Sequence, residues 1–131
     1  MTNHNAILEV NLNNLRYNFQ SLSKIANKSI CGATIKADAY GIGALKAFET
    51  LYKINCRHFF VATTKEALEI RKKKSVANLY VLNGLENNKL SVFNKNKIIP
   101  IINDMDEYDL ILKNKKKFKK LKYGIHVDTG I

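Results

Sequence analysis

A lysine closes a run of small and apolar residues in the stretch Cys31-Gly32-Ala33-Thr34-Ile35-Lys36-Ala37-Asp38-Ala39-Tyr40-Gly41. The run reads as a buried strand, so Lys36 emerges where strands of an α/β fold pass into loops. That edge is where such folds keep their chemistry. A lysine is a nucleophile only without its proton, and burial or a neighbouring cation lowers its pKa enough for Schiff-base chemistry. Small neighbours leave room for a planar cofactor. Tyr40, four residues on, offers a hydroxyl to a phosphate or a ring. Gly41 and Gly43 bracket the start of a helix, where backbone N–H groups meet anions. Spacing alone leaves two readings of each feature. Lys36 is a reactive amine or a solvated strand end, and Gly41-Ile42-Gly43 is a phosphate cradle or a turn.

The elements that must position these residues follow from hydrophobic periodicity. Strands are expected at 7–10, 30–36, 58–62, 79–82, 98–102 and 122–127. Helices are expected at 12–26, with Leu12, Leu15, Phe19, Leu22 and Ile25 on one face, and at 42–54. Thr63 and Glu66 have the spacing of a capping box, so a helix follows them to about residue 73. A weaker helix is expected at 86–93, and another from Asp104, with Glu107, to about 118. Pro100 suits an early position, an edge or a bulge better than a central strand. Strand and helix in alternation, with short connections, give right-handed βαβ units and a parallel sheet. Two architectures remain open at this point, a doubly wound sheet and a (β/α) barrel. Five or so units cannot close an eight-stranded barrel, and no helix follows the last strand. The expectation is an interrupted chain with raw sheet edges.

The chain has 131 residues, enough for one domain and one core. Its apolar content of 46% excludes a disordered composition. It holds no apolar run long enough for a membrane span. The opening MTNHNAILEVNLNN lacks the basic start and apolar block of a secretion signal, so a cytoplasmic location is expected. Cys31 and Cys56 stand in apolar surroundings at no metal-like spacing and read as reduced structural residues, and no metal is expected. The net charge of +11 invites a nucleic-acid partner. The excess is nearly all lysine, however, and its densest runs, 71–74 and 115–120, fall at the ends of expected helices, where cations complement the helix dipole. No aromatic residues interleave with arginine as a stacking platform requires. Neither nucleic acid nor membrane is expected as a partner.

The stretch from Ala33 to Gly41, continued by Ile42-Gly43, resembles the pyridoxal-phosphate signature of bacterial alanine racemases. Three further stretches are similar to the same family, in order. They are Leu8-Glu9-Val10-Asn11-Leu12-Asn13-Asn14-Leu15 with Asn18, then Val61-Ala62-Thr63 with Glu66-Ala67 and Arg71, then His126-Val127-Asp128-Thr129-Gly130-Ile131. The resemblance spans essentially the whole chain and about the first third of such an enzyme. It implies the N-terminal part of a (β/α)8 TIM-type barrel over residues 1–131, without the β-rich C-terminal domain that follows in the family. It implies pyridoxal 5'-phosphate as cofactor, alanine as substrate, D-alanine for cell-wall peptidoglycan as product, and a homodimer in full-length members. By the same resemblance Lys36 holds the cofactor covalently and acts as acid and base on one face of the substrate. Tyr40 contacts the phosphate, and His126 stands where many relatives carry a carbamylated lysine near the site. Ile42 replaces a usual histidine. The arginine expected beyond Gly130-Ile131 and the second base, a tyrosine of the partner's C-terminal domain, are not in the sequence, so the chain alone is expected not to racemise efficiently. The alternatives are another barrel racemase or decarboxylase using the same cofactor, and a non-catalytic half-barrel that binds it.

Overall fold

Amphipathic segments of the chain fold as helices, and the short Val/Ile/Phe-rich segments at 58–61, 78–81 and 98–102 fold as strands. The computed structural model describes residues 6–85 and 89–130. Its elements are α1 (Leu12–Ala26), β1 (Ala33–Thr34), a one-turn element α2 (Lys36–Tyr40), α3 (Ala44–Lys53), β2 (His58–Val61), α4 (Thr64–Arg71), β3 (Asn78–Val81), α5 (Leu90–Asn96), β4 (Ile98–Ile102), α6 (Met105–Asn114) and β5 (Gly124–Ile125). Asn11 caps α1 by accepting the N–H groups of Asn13 and Asn14, Thr63 caps α4, and Asp104 caps α6.

All strand pairs are parallel and the order is β1-β2-β3-β4-β5. A doubly wound sheet reverses its order at a switch point. Here each strand lies beside its predecessor, which is the sequential winding of a (β/α) barrel, and the sheet is open.

One sheet face is covered by helices. Phe59, Val61, Leu79, Val81, Ile98 and Ile102 are buried there against Phe48 and Leu51 of α3, Ala67 and Ile70 of α4, Phe93 of α5 and Ile111 of α6. Each such aliphatic or aromatic side chain contributes about 1.5–3 kcal/mol by leaving water. The other face carries His58, Phe60 and Tyr80. The rings of Phe60 and Tyr80 stack at 4.6 Å, and His58 Nδ1 lies 2.8 Å from the Tyr80 hydroxyl.

Several expectations are corrected. Residues 7–10 form no strand, because no strand of the described residues offers them a ladder, and Ile7 and Leu8 are exposed. Helix α1 has the expected bounds but uses half its apolar face. Leu15 and Phe19 pack on the core, whereas Leu22 and Ile25 are 61% and 80% exposed. The first and last strands pair over two residues each, far less than 30–36 and 122–127. Pro100 is buried in β4, which has neighbours on both sides. The β3 ladder covers Ile98 to Pro100 and the β5 ladder starts at Ile101, so the missing N–H falls where one ladder hands over to the next. Helix α5 starts at Leu90, and residues 86–88 of the expected helix lie outside the described ones. Helix α6 ends at Asn114, short of 118. The basic run 71–74 begins in the last turn of α4 with Arg71, and the run 115–120 follows the end of α6, both at helix ends as expected.

Truncating Phe59, which has no exposed surface and whose ring lies 4.7 Å from that of Phe48, should destabilise the chain by about 3–5 kcal/mol in Phe59→Ala, read as a shift in urea midpoint. Cys56 is buried and its thiol approaches the His58 carbonyl at 3.5 Å; burial pushes its pKa up. In a timed thiol titration Cys31, partly exposed, should react first and Cys56 only on unfolding. The folded thiol keeps its proton at a pH where the unfolded one already ionises, so stability should fall as pH rises from the unfolded pKa toward the raised folded one.

Candidate functional site

The C-terminal edge of β1 is built by a backbone reversal of unusual hand. Ile35 is buried, and its N–H continues the ladder by donating to the Phe60 carbonyl at 2.8 Å. Lys36 is the next residue and is partly buried. After it, Ala37, Asp38, Ala39 and Tyr40 have φ of 49°, 53°, 53° and 56°, one turn of left-handed helix made of non-glycine residues, and Gly41 follows at 89°. A left-handed conformation costs L-residues roughly 1–2 kcal/mol each, so the turn persists only because its surroundings over-determine it.

Those surroundings are specific. Ala39 is buried in the core and donates its N–H to the Ile35 carbonyl at 3.1 Å. Asp38, a residue type that tolerates this conformation, accepts the Ala44 N–H on its carboxylate at 2.7 Å and the Gly43 N–H on its carbonyl at 2.9 Å. The first turn of α3 is thereby capped from inside the reversal, since its N-cap Gly43 has no side chain. From the neighbouring unit, Glu66 Oε1 accepts the Ala37 N–H at 2.9 Å. The capping box was legible in sequence; the reach of Glu66 to Ala37, 29 positions away, was not.

Lys36 and Tyr40 are thus separated by one left-handed turn, with Tyr40 66% exposed. Among the described residues no carboxylate pairs with Lys36. His126 lies beyond β5 at the same, C-terminal end of the strands, and its N–H donates to the Ile102 carbonyl at 2.8 Å. Its Nδ1 is 3.2 Å from Asn103 Oδ1, while Asn103 Nδ2 donates to the Leu82 carbonyl at 2.9 Å. The amide oxygen is therefore the acceptor, the imidazole donates from Nδ1, and Nε2 is the nitrogen left for a ligand. A cavity of about 300 Å³ adjoins it, lined by Asn103, Met105, Tyr108 and Ile125 among others. Strands β1 and β5 are the two edges of the sheet, roughly 19 Å apart along it at the usual strand spacing of about 4.8 Å. His126 and Lys36 lie at the same, C-terminal end of the strands, on opposite sides of the sheet.

The helices run against the strands, so their acidic caps, Asp104, Glu107 and Glu66, sit at the Lys36 edge and their basic ends at the other. Arg71, Lys95, Lys97, Lys120 and Lys122 line a cavity of about 580 Å³ at that opposite edge. The positive charge of the chain is concentrated away from Lys36. No group of three or more His, Cys, Asp or Glu among the described residues is arranged to hold a metal ion, and no helix there is long and apolar enough to cross a membrane.

Comparison with known proteins adds an independent line. The family model described as "Alanine racemase, N-terminal domain" matches residues 10–131. The alanine racemase of Rickettsia canadensis (strain McKiel) is 36% identical over 131 residues, covering 95% of this chain and 36% of its own length. That of Rickettsia akari (strain Hartford) is 35% identical with the same coverages. The chain spans about a third of the length of these curated relatives. Among solved structures, alanine racemase from Bartonella henselae with covalently bound pyridoxal phosphate matches with a TM-score of 0.86 and 31% identity, over 93% of this chain and 36% of that one. Histidine racemase from Leuconostoc mesenteroides subsp. sake matches with a TM-score of 0.84 over 100% of this chain and 36% of that one; at 17% identity it shows the fold alone.

A Cβ at Gly41 would meet nothing within 4 Å, so Gly41→Ala isolates the backbone term. It should cost about 1 kcal/mol of stability by urea unfolding, from the positive φ and not from any clash.

Proposed function

Since the chain belongs to the alanine racemase N-terminal domain family, we propose that it is the cofactor-lysine portion of a pyridoxal-phosphate racemase acting on alanine. The observation that carries the reading is Lys36 at the C-terminal edge of β1, entering a strained left-handed turn that ends in Tyr40. Strain of this kind gathers at functional sites. The donor set suits the group chemically. An amine captures an aldehyde, and a phenolic hydroxyl one turn on donates to a phosphate.

In this reading Lys36 holds pyridoxal 5'-phosphate covalently through Nζ, and Tyr40 donates its hydroxyl to the phosphate. When bound, the cofactor supplies an electron sink that makes the α-hydrogen of an amino acid acidic. With its amine free, Lys36 would take or return that proton at Nζ on its own face. His126 supports the site from the far strand through its fixed Nδ1 donor. Inversion at the α-carbon needs a second acid–base group on the opposite face, beside the Lys36 amine. Residues 1–131 accordingly form the N-terminal barrel portion of the enzyme, which works as a homodimer in the cytoplasm and makes D-alanine for peptidoglycan. Alanine as the substrate rests on identity to the Rickettsia enzymes, because the fold is shared with a histidine racemase.

Borohydride reduction of the chain mixed with pyridoxal phosphate, followed by peptide mass spectrometry, tests the assignment. One adduct per chain should map to the peptide holding Lys36 and vanish in Lys36→Ala. Adducts spread over the surface lysines, unchanged by that substitution, would remove Lys36 from its role. The 131-residue chain alone should show no racemisation of L-alanine above background.

A further inference from the structure

Glu66 does more than cap a helix. In a capping box the N3 glutamate satisfies the N-cap N–H and the N-cap side chain satisfies the N3 N–H. Both bonds are present, Thr63 N–H to Glu66 Oε2 at 3.1 Å and Glu66 N–H to Thr63 Oγ1 at 3.3 Å. Oε2 also takes the Ala62 N–H at 2.7 Å. The second oxygen is left over and points across to the adjacent connection, where it accepts the N–H of Ala37 at 2.9 Å. That N–H belongs to the peptide joining Lys36 to Ala37. Its plane sets ψ of Lys36, and so the direction from which the lysine side chain starts.

The same device occurs two units further on. Glu107, at N3 of α6, donates its N–H to Asp104 Oδ1 at 2.8 Å, accepts Asn103 N–H on Oε2 at 2.8 Å, and reaches back to accept Leu85 N–H on Oε1 at 2.6 Å. A Cβ on Gly84 would run into that carboxylate. The second copy ties down the connection at Leu85; the first ties down the residue that follows Lys36. We propose that Glu66 is a positioning residue for Lys36, holding the Lys36–Ala37 peptide so that the amine is presented to the cofactor, a role that rests on the reading of Lys36 given above.

The carboxylate is required for a countable reason. Three N–H groups converge on two oxygens, and a glutamine offers one oxygen and an amide that is itself a donor. Glu66→Gln keeps the shape and sets a donor against a donor on one side. Glu66→Asp keeps the charge but is a methylene too short to span both connections, and it serves if the glutamine variant fails to fold. Glu107→Gln removes an equivalent tie far from Lys36 and reports what a merely structural loss does.

The experiment measures the rate at which borohydride fixes pyridoxal phosphate to the Lys36 peptide, together with amide exchange at Ala37 by NMR, which needs no cofactor. Glu66→Gln should slow fixation at Lys36 about ten-fold or more and speed exchange at Ala37 roughly ten-fold. Glu107→Gln should leave both at wild-type values and speed exchange at Leu85 instead. Wild-type fixation in Glu66→Gln, or an equal loss in Glu107→Gln, would overturn the positioning role while Lys36 keeps its own. Fixation that survives Lys36→Ala overturns both.

Discussion

Phe59 has no accessible surface, and its ring lies 4.7 Å from that of Phe48. This contact joins the second strand to the helix that precedes it, and the rest of the site end is assembled around that join. A parallel strand buried on one face needs a helix over it, and the crossover has to return to the same edge of the sheet to start the next strand. With Phe48 of α3 against Phe59, and with α3 packed on α2, the N-terminal end of α3 is held beside the end of β1. The nine residues between Thr34 and Ala44 must reverse the chain in little room, and Ala37 to Gly41 do so through left-handed space.

That turn is locally unfavourable and globally held. Its four non-glycine residues together cost several kcal/mol on the usual scale of about 1–2 each. The compensation comes from outside the turn: burial of Ala39 in the core, a carboxylate of Asp38 used as the cap of α3, and a carboxylate of Glu66 supplied by the next unit. Unlike a glycine loop, such an arrangement has one shape. A side chain mounted on it is presented in one direction, which is what a residue with four rotatable bonds requires if it is to meet a partner reproducibly.

Much of this was legible in the residues. The bounds of α1 and β4, the Thr63/Glu66 capping box and the cap at Asp104 all follow from local rules that act within one turn. The motif around Lys36 made readable that a lysine stands at the end of β1, and the basic runs were readable as lying at helix ends. The hand of the turn was not. Ala37, Ala39 and Tyr40 carry no preference for positive φ, and no local signal distinguishes them from residues of an ordinary helix start. The strand expected at residues 7–10 failed for the related reason that a strand exists only with a partner.

What the sequence by itself determined is the alternation of elements, the face each turns to the core and the placing of a lysine at the end of β1, because these depend on side-chain period and on caps that act over three or four residues. The tertiary structure alone decided the sequential strand order, the handover that lets Pro100 sit inside a sheet, and the bridge from Glu66 to Ala37. Each of these joins groups tens of residues apart, and no local energy specifies them; they appear only when the helices are packed and the backbone N–H groups at the sheet's edge must find acceptors.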